Sequence, residues 1–150
     1  MKNAKKTNNP YSDMSAKQLK ALAEQGDAEA QFKLACRYKK GEGIKKNLAK
    51  AVEWYTKAAE QGHSGAQNNL GVCYKQGRGV EKDYAKAVEW YMKAAEQGDI
   101  KAQWCLAVCY EKGYGVKKDL ANAIGWYTKA AAQGDEEAKN KLSLLQQKKE

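Results

Sequence analysis

At 150 residues the chain can enclose one core and is too short for a multidomain enzyme. Leu, Ile, Val and Phe total only 20 of 150 residues, against 30% charged residues and a net charge of +9. That balance is usual for disordered chains, and no apolar run approaches the roughly 20 residues a membrane-spanning helix needs.

Taken from the start, Met1–Pro10 is rich in Lys and Asn and has no apolar stretch. Neither a leader peptide nor a membrane anchor is expected there, and a cytoplasmic location follows as the expectation. Residues 1–13 read as a disordered tail. Residues 14–27 read as a worn helix with Leu19 and Leu22 but no Trp. From Ala28 a period of 36 residues takes over: Gly26, Gly62, Gly98 and Gly134 share one phase. Gly41, Gly77 and Gly113 share a second, and Gly43, Gly79 and Gly115 a third. Three units follow, 28–63, 64–99 and 100–135, and the second matches each of the others at 21 of 36 positions. Residues 136–147 begin a fourth unit, and 148–150 read as a short tail. A fixed period of this length means stacked supersecondary units, none able to bury its apolar face alone.

Inside a unit, Ala66, Leu70 and Tyr74 recur at i, i+4, i+8 on one face of a first helix. The residue after that Leu is always small (Ala35, Gly71, Ala107), which permits close approach of another helix. Gly77 ends the first helix where a left-handed backbone is needed. Gly79 keeps the loop tight, Val80 plugs it into the core, and Asp83 caps the second helix. Tyr84, Ala87, Val88, Trp90, Tyr91, Ala94 and Ala95 then cover more than half of that helix, as burial on two sides requires. Gln97-Gly98-Asp99 stops it and caps the next. The scarce Leu, Ile and Val are thus replaced by 24 alanines with 4 Trp and 9 Tyr, most of them patterned at one period. Eight helices are expected in all.

The segment Ala66–Asp99, AQNNLGVCYKQGRGVEKDYAKAVEWYMKAAEQGD, resembles a Sel-one-like repeat, and the likeness runs from Ser15 to Gln147. Ala35 and Ala107 replace the Gly of the family's Leu-Gly, Asn47 replaces the Asp cap, and Gly125 stands where sibling units have Glu. The resemblance implies an all-α, right-handed superhelical solenoid of antiparallel helix pairs: three full repeats with a half-repeat cap at each end. It further implies a monomeric, non-catalytic scaffold or adaptor for another protein, with no cofactor. Cysteine-rich relatives clip their helix pairs with disulfides, an arrangement closed to this chain because its second helices contain no Cys.

Competing chemistry is weak. The Gly-x-Gly loops follow no strand and precede no Gly-Lys-Ser/Thr, so they do not read as phosphate cradles. Cys36, Cys73, Cys105 and Cys109 all lie on first helices and read either as buried thiols or, at Cys105 and Cys109, as part of a metal site. His63, the single histidine, takes the position at which other units have a capping Asp. Some members of the family have been linked with penicillin binding, but no Ser here begins a Ser-x-x-Lys motif and Lys-Thr-Gly is absent.

The first unit holds the largest share of the net charge, +4 of +9, with Lys33, Arg37 and Lys40 spaced along its first helix and Lys39, Lys45 and Lys46 nearby. That stripe suits an acidic protein surface or, as the alternative, a nucleic-acid backbone. Arrays of this kind line a concave face with their first helices, so positions that vary between units there are the recognition candidates. They are Phe32, Lys33, Arg37, Lys40, Asn68, Asn69, Gln76, Trp104 and Lys112. Trp104 stands where a sibling has Asn, and it either faces the groove or packs on the C-terminal cap.

Overall fold

The computed structural model describes residues 9–148. They form eight helices: α1 (Ala16–Glu24), α2 (Ala28–Lys40), α3 (Leu48–Glu60), α4 (Ser64–Gln76), α5 (Tyr84–Glu96), α6 (Ile100–Lys112), α7 (Leu120–Ala132) and α8 (Glu136–Gln147). Among the described residues there is no strand. Each helix packs against its neighbours in sequence, so α2/α3, α4/α5 and α6/α7 stack as pairs, with α1 and α8 as half-pairs at the ends.

The boundaries follow from local chemistry. Side chains of Asp27, His63, Asp99 and Asp135 each accept a backbone N–H at the start of a first helix. Asn47, Asp83 and Asp119 do the same for the second helices, each removing one of the orphan donors of a helix start. Ser15 and Gln18 form a reciprocal capping box on α1. First helices end on glycines with a left-handed backbone, Gly77 for example at φ 66°. The ten glycines that obey the 36-residue period are the ten with positive φ. Gly125, which does not obey it, lies exposed inside an unbroken α7.

Tyr55, Tyr91 and Tyr127 are fully buried, as are Leu34, Leu70 and Leu106, with alanines making up much of the rest of the core. Gly71 shows why the residue after Leu70 is small: a Cβ there would come within 2.7 Å of the Tyr91 ring. Trp54 is buried, whereas Trp90 and Trp126 are half-buried. Lys57, Lys93 and Lys129 lie 4.4, 4.6 and 4.3 Å over the three indoles, so each indole offers a face to a lysine.

A glutamine relay joins the units. Gln31, Gln67 and Gln103 are buried and donate to the carbonyls of Ala23, Ala59 and Ala95 at the end of the preceding second helix. Their own side-chain oxygens accept from Gln61, Gln97 and Gln133 at 2.9 Å. Those same amides also donate to the Gly26, Gly62 and Gly98 carbonyls. Each joint thereby satisfies backbone carbonyls that a helix end leaves open.

Of the tails expected from sequence, residues 1–8 and 149–150 lie outside the described residues. Residues 9–13 are described and form a turn. Tyr11 and Met14 pack on the first core cluster, and the Tyr11 hydroxyl donates to Asp27 at 2.8 Å. They shield the first core cluster at the N-terminal end of the stack, which is why an otherwise polar stretch folds back there.

Candidate functional site

Three recesses open along the first helices. One of about 190 Å³ is lined by Lys39 of α2, by Leu48, Ala51 and Tyr55 of α3, by Asn68, Asn69, Val72, Cys73 and Gln76 of α4, and by Arg78 and Lys101. A second, about 420 Å³, lies between Phe32, Gly65, Asn68, Asn69, Asp99, Ile100 and Lys101. The third, about 560 Å³, runs from Asn68 and Val72 past Lys101, Trp104 and Cys105 to Asp135 and Glu137 at the start of α8. Asn68 and Lys101 border all three, so the recesses are sections of one groove.

Five of the residues expected to face a partner meet here: Phe32, Asn68, Asn69, Gln76 and Trp104. Trp104 occupies both of the anticipated positions. It stands edge-on to Tyr127 with ring centroids 5.0 Å apart, in the core cluster that includes Ala138 and Leu145 of α8, and its exposed side lines the groove. Phe32 stacks on the His63 ring at 4.5 Å. That ring is pinned at both nitrogens: Nδ1 accepts from the Ala66 N–H at 3.0 Å, which leaves Nε2 to donate to Glu29 at 2.6 Å. His63 is therefore a helix cap.

Four expected cations do not line these recesses. Lys33 lies 3.8 Å from Glu29 and 5.7 Å over the Phe32 ring. Arg37 reaches away to the Met14 carbonyl, to which it donates at 2.8 Å. Lys40 is exposed beside the α2 C-cap, and Lys112 is 3.7 Å from Glu111. Each side chain follows the nearest carboxylate, carbonyl or water, so their spacing on a helical wheel does not become one free cationic face. The groove's own cations are Lys39, which belongs to the basic stripe of the first unit, and Arg78 and Lys101, which sequence reasoning missed. Lys101 stands where the sibling units have Glu29 and Gly65, so its variability was the available signal.

The thiols have little chemistry to offer. Cys36 accepts from the Tyr55 hydroxyl at 3.4 Å, and all four cysteines are free. Burial pushes the Cys73, Cys105 and Cys109 thiols up, the last to about 11, against the opposing pull of nearby lysines. At neutral pH they are thiols rather than the nucleophilic thiolate. Among the described residues no three His, Cys, Asp or Glu side chains gather into a metal-holding group, and no helix is long and apolar enough to cross a membrane. What the groove presents is shape, hydrogen-bonding amides, an aromatic wall and positive charge.

The Sel1 repeat model matches residues 28–63, 64–99 and 100–135. No curated protein matches the chain. Among solved structures, a Sel1 repeat protein from Oxalobacter formigenes is 44% identical with a TM-score of 0.81, over 85% of this chain and 52% of its own length. A protective antigen present in uropathogenic Escherichia coli strains, displaying an SLR fold, is 35% identical with a TM-score of 0.73, over 89% of this chain and 36% of its own. Helicobacter pylori cysteine rich protein B is 26% identical with a TM-score of 0.68, over 86% of this chain and 98% of its own. The chain thus spans about half of the first of these proteins and about a third of the second.

Proposed function

The chain belongs to the Sel1 repeat family, and from that premise we propose that it is a non-catalytic interaction module which grips a partner protein along the groove of α2, α4 and α6. The observation that carries this reading is the groove's composition. Phe32, Asn68, Asn69, Gln76 and Trp104 differ from their counterparts in one or both sibling units, yet they line one continuous surface. Core positions in the same helices hardly vary, so the variation is concentrated where a partner would touch. Trp104 supplies the anchor, since a rigid aromatic side chain in a partly desolvated recess is the commonest source of interface energy.

Partner capture by the intact chain tests the reading, with Trp104→Ala and Lys101→Glu as separate variants. Lys101 is exposed, so its substitution leaves the core untouched. Loss of the same bound protein from both variants, with helical circular dichroism unchanged, is the expected result. Retention of every partner by both would remove the groove from consideration.

A further inference from the structure

Asn68 is only 5% exposed, yet one of its two amide polar atoms, Oδ1, is buried without a hydrogen-bond partner. An unpaired buried polar group opposes folding, and such groups are rare in native proteins. This one sits at the point shared by all three recesses of the groove. The buried glutamines of the same helices, Gln67 and Gln103, are by contrast fully engaged in the relay.

A side-chain amide has the donor and acceptor of a backbone amide, so an extended peptide residue can satisfy it with its own N–H and C=O. In one of the three recesses the charge is one-sided. Lys39, Arg78 and Lys101 border the recess between α2 and α4 with no carboxylate among its lining residues, and none of the three is in an ion pair among the described residues. At the α6–α8 end the surface changes to Trp104 with Asp135 and Glu137. The groove also runs past Asn68 in both directions, which suits a segment passing through better than a chain end.

We propose that the groove takes an internal, extended segment of a partner protein, whose backbone amide pairs with Asn68. An acidic side chain of that segment faces Lys39, Arg78 and Lys101, and an apolar one faces Trp104. This deepens the interaction-module reading and rests on it. The unpaired amide is then a vacancy the partner's backbone fills, so recognition carries a main-chain component independent of the partner's side chains. Charge complementarity fixes which end of the groove the acidic residue occupies.

The test uses the full chain and an array of acetylated, amidated nonapeptides. Each carries glutamate and one Phe or Leu at varied spacing, beside matched arrays with Gln or Lys in place of Glu. The glutamate series is expected to bind best, and a free C-terminal carboxylate in place of the amide is expected to add nothing. Two changes should each weaken the best probe about tenfold, the worth of one well-made hydrogen bond: N-methylation of its central amide, and Asn68→Leu in the protein. Asn68→Leu should also hold or raise Tm, because it removes an unpaired buried group without opening a cavity. A merely structural asparagine would lower Tm instead, and that result overturns the proposal. Equal binding of the Gln or Lys arrays overturns it too, as does a gain from the free carboxylate. Binding that survives Asn68→Leu but not Trp104→Ala would sink the amide pairing and leave the interaction module standing. Binding to no array, or binding indifferent to Trp104→Ala and Lys101→Glu, would sink both.

Discussion

Glu111 lies on α6 and accepts the Tyr127 hydroxyl of α7 at 2.8 Å and the Lys141 ammonium of α8 at 3.0 Å, with Lys112 at 3.7 Å. Burial alone would push its carboxyl up, but the bonds from Tyr127 and Lys141 and the charges of Lys141 and Lys112 together hold it below the usual value. A carboxyl whose pKa is lower folded than unfolded stabilises the fold fully above the unfolded value, about 4.3 for Glu. That contribution disappears as pH falls through the folded value. The urea stability gap between wild type and Glu111→Gln should therefore be widest at neutral pH and narrow below pH about 4. A gap that stays constant from neutral pH into acid would show that the charge contributes nothing. The sibling tyrosines do without this arrangement: Tyr55 donates to Cys36, and the Tyr91 hydroxyl has no partner. The last full unit therefore carries a link of its own to the terminal half-pair.

At the scale of elements the loops decide how closely units stack. Gly79, at φ 74°, sits where a Cβ would overlap the Leu48 carbonyl at the start of α3, and Gly115 meets the Tyr84 carbonyl of α5 in the same way. Gly43 is equally left-handed but has nothing nearer than the Arg37 guanidinium at 3.6 Å. Gly43→Ala should cost only the conformational penalty, about 1–2 kcal/mol. Gly79→Ala and Gly115→Ala add a backbone collision and should cost about 3 kcal/mol or more, as urea midpoints would measure. These elements were legible in the sequence because each glycine and cap answers a local backbone demand that recurs at a fixed spacing. The identical glutamines at 31, 67 and 103 were as visible but uninterpretable, since their partners lie 30 residues onward and 8 residues back. Within the groove, Trp104 announced itself by contrast with Asn68. Arg37 misled because a long flexible side chain can leave its helical face for a carbonyl 23 residues away. Arg78 and Lys101 were hidden because no spacing rule sets the direction of a long cationic side chain, and Lys101 is one of 25 lysines.

For the whole molecule, contacts concentrated between consecutive helices make stability largely a sum over units and joints rather than the property of one closed core. The chain should accordingly accept another copy of residues 64–99 after Asp99 and fold with a larger urea m-value, because every new surface meets a neighbour of native type. An inserted unit that stayed unfolded, with m unchanged, would show that the array is closed at its present number. The glutamine relay carries this further. Each joint uses the same amides on the same carbonyls one period earlier, so the bonding has no privileged beginning. A duplication of 70–105, broken in mid-helix, restores the relay as completely as one cut at a unit boundary. Unequal recombination can therefore lengthen or shorten the gene at almost any codon in register, and the groove can be tailored to longer partners without a new fold having to be found.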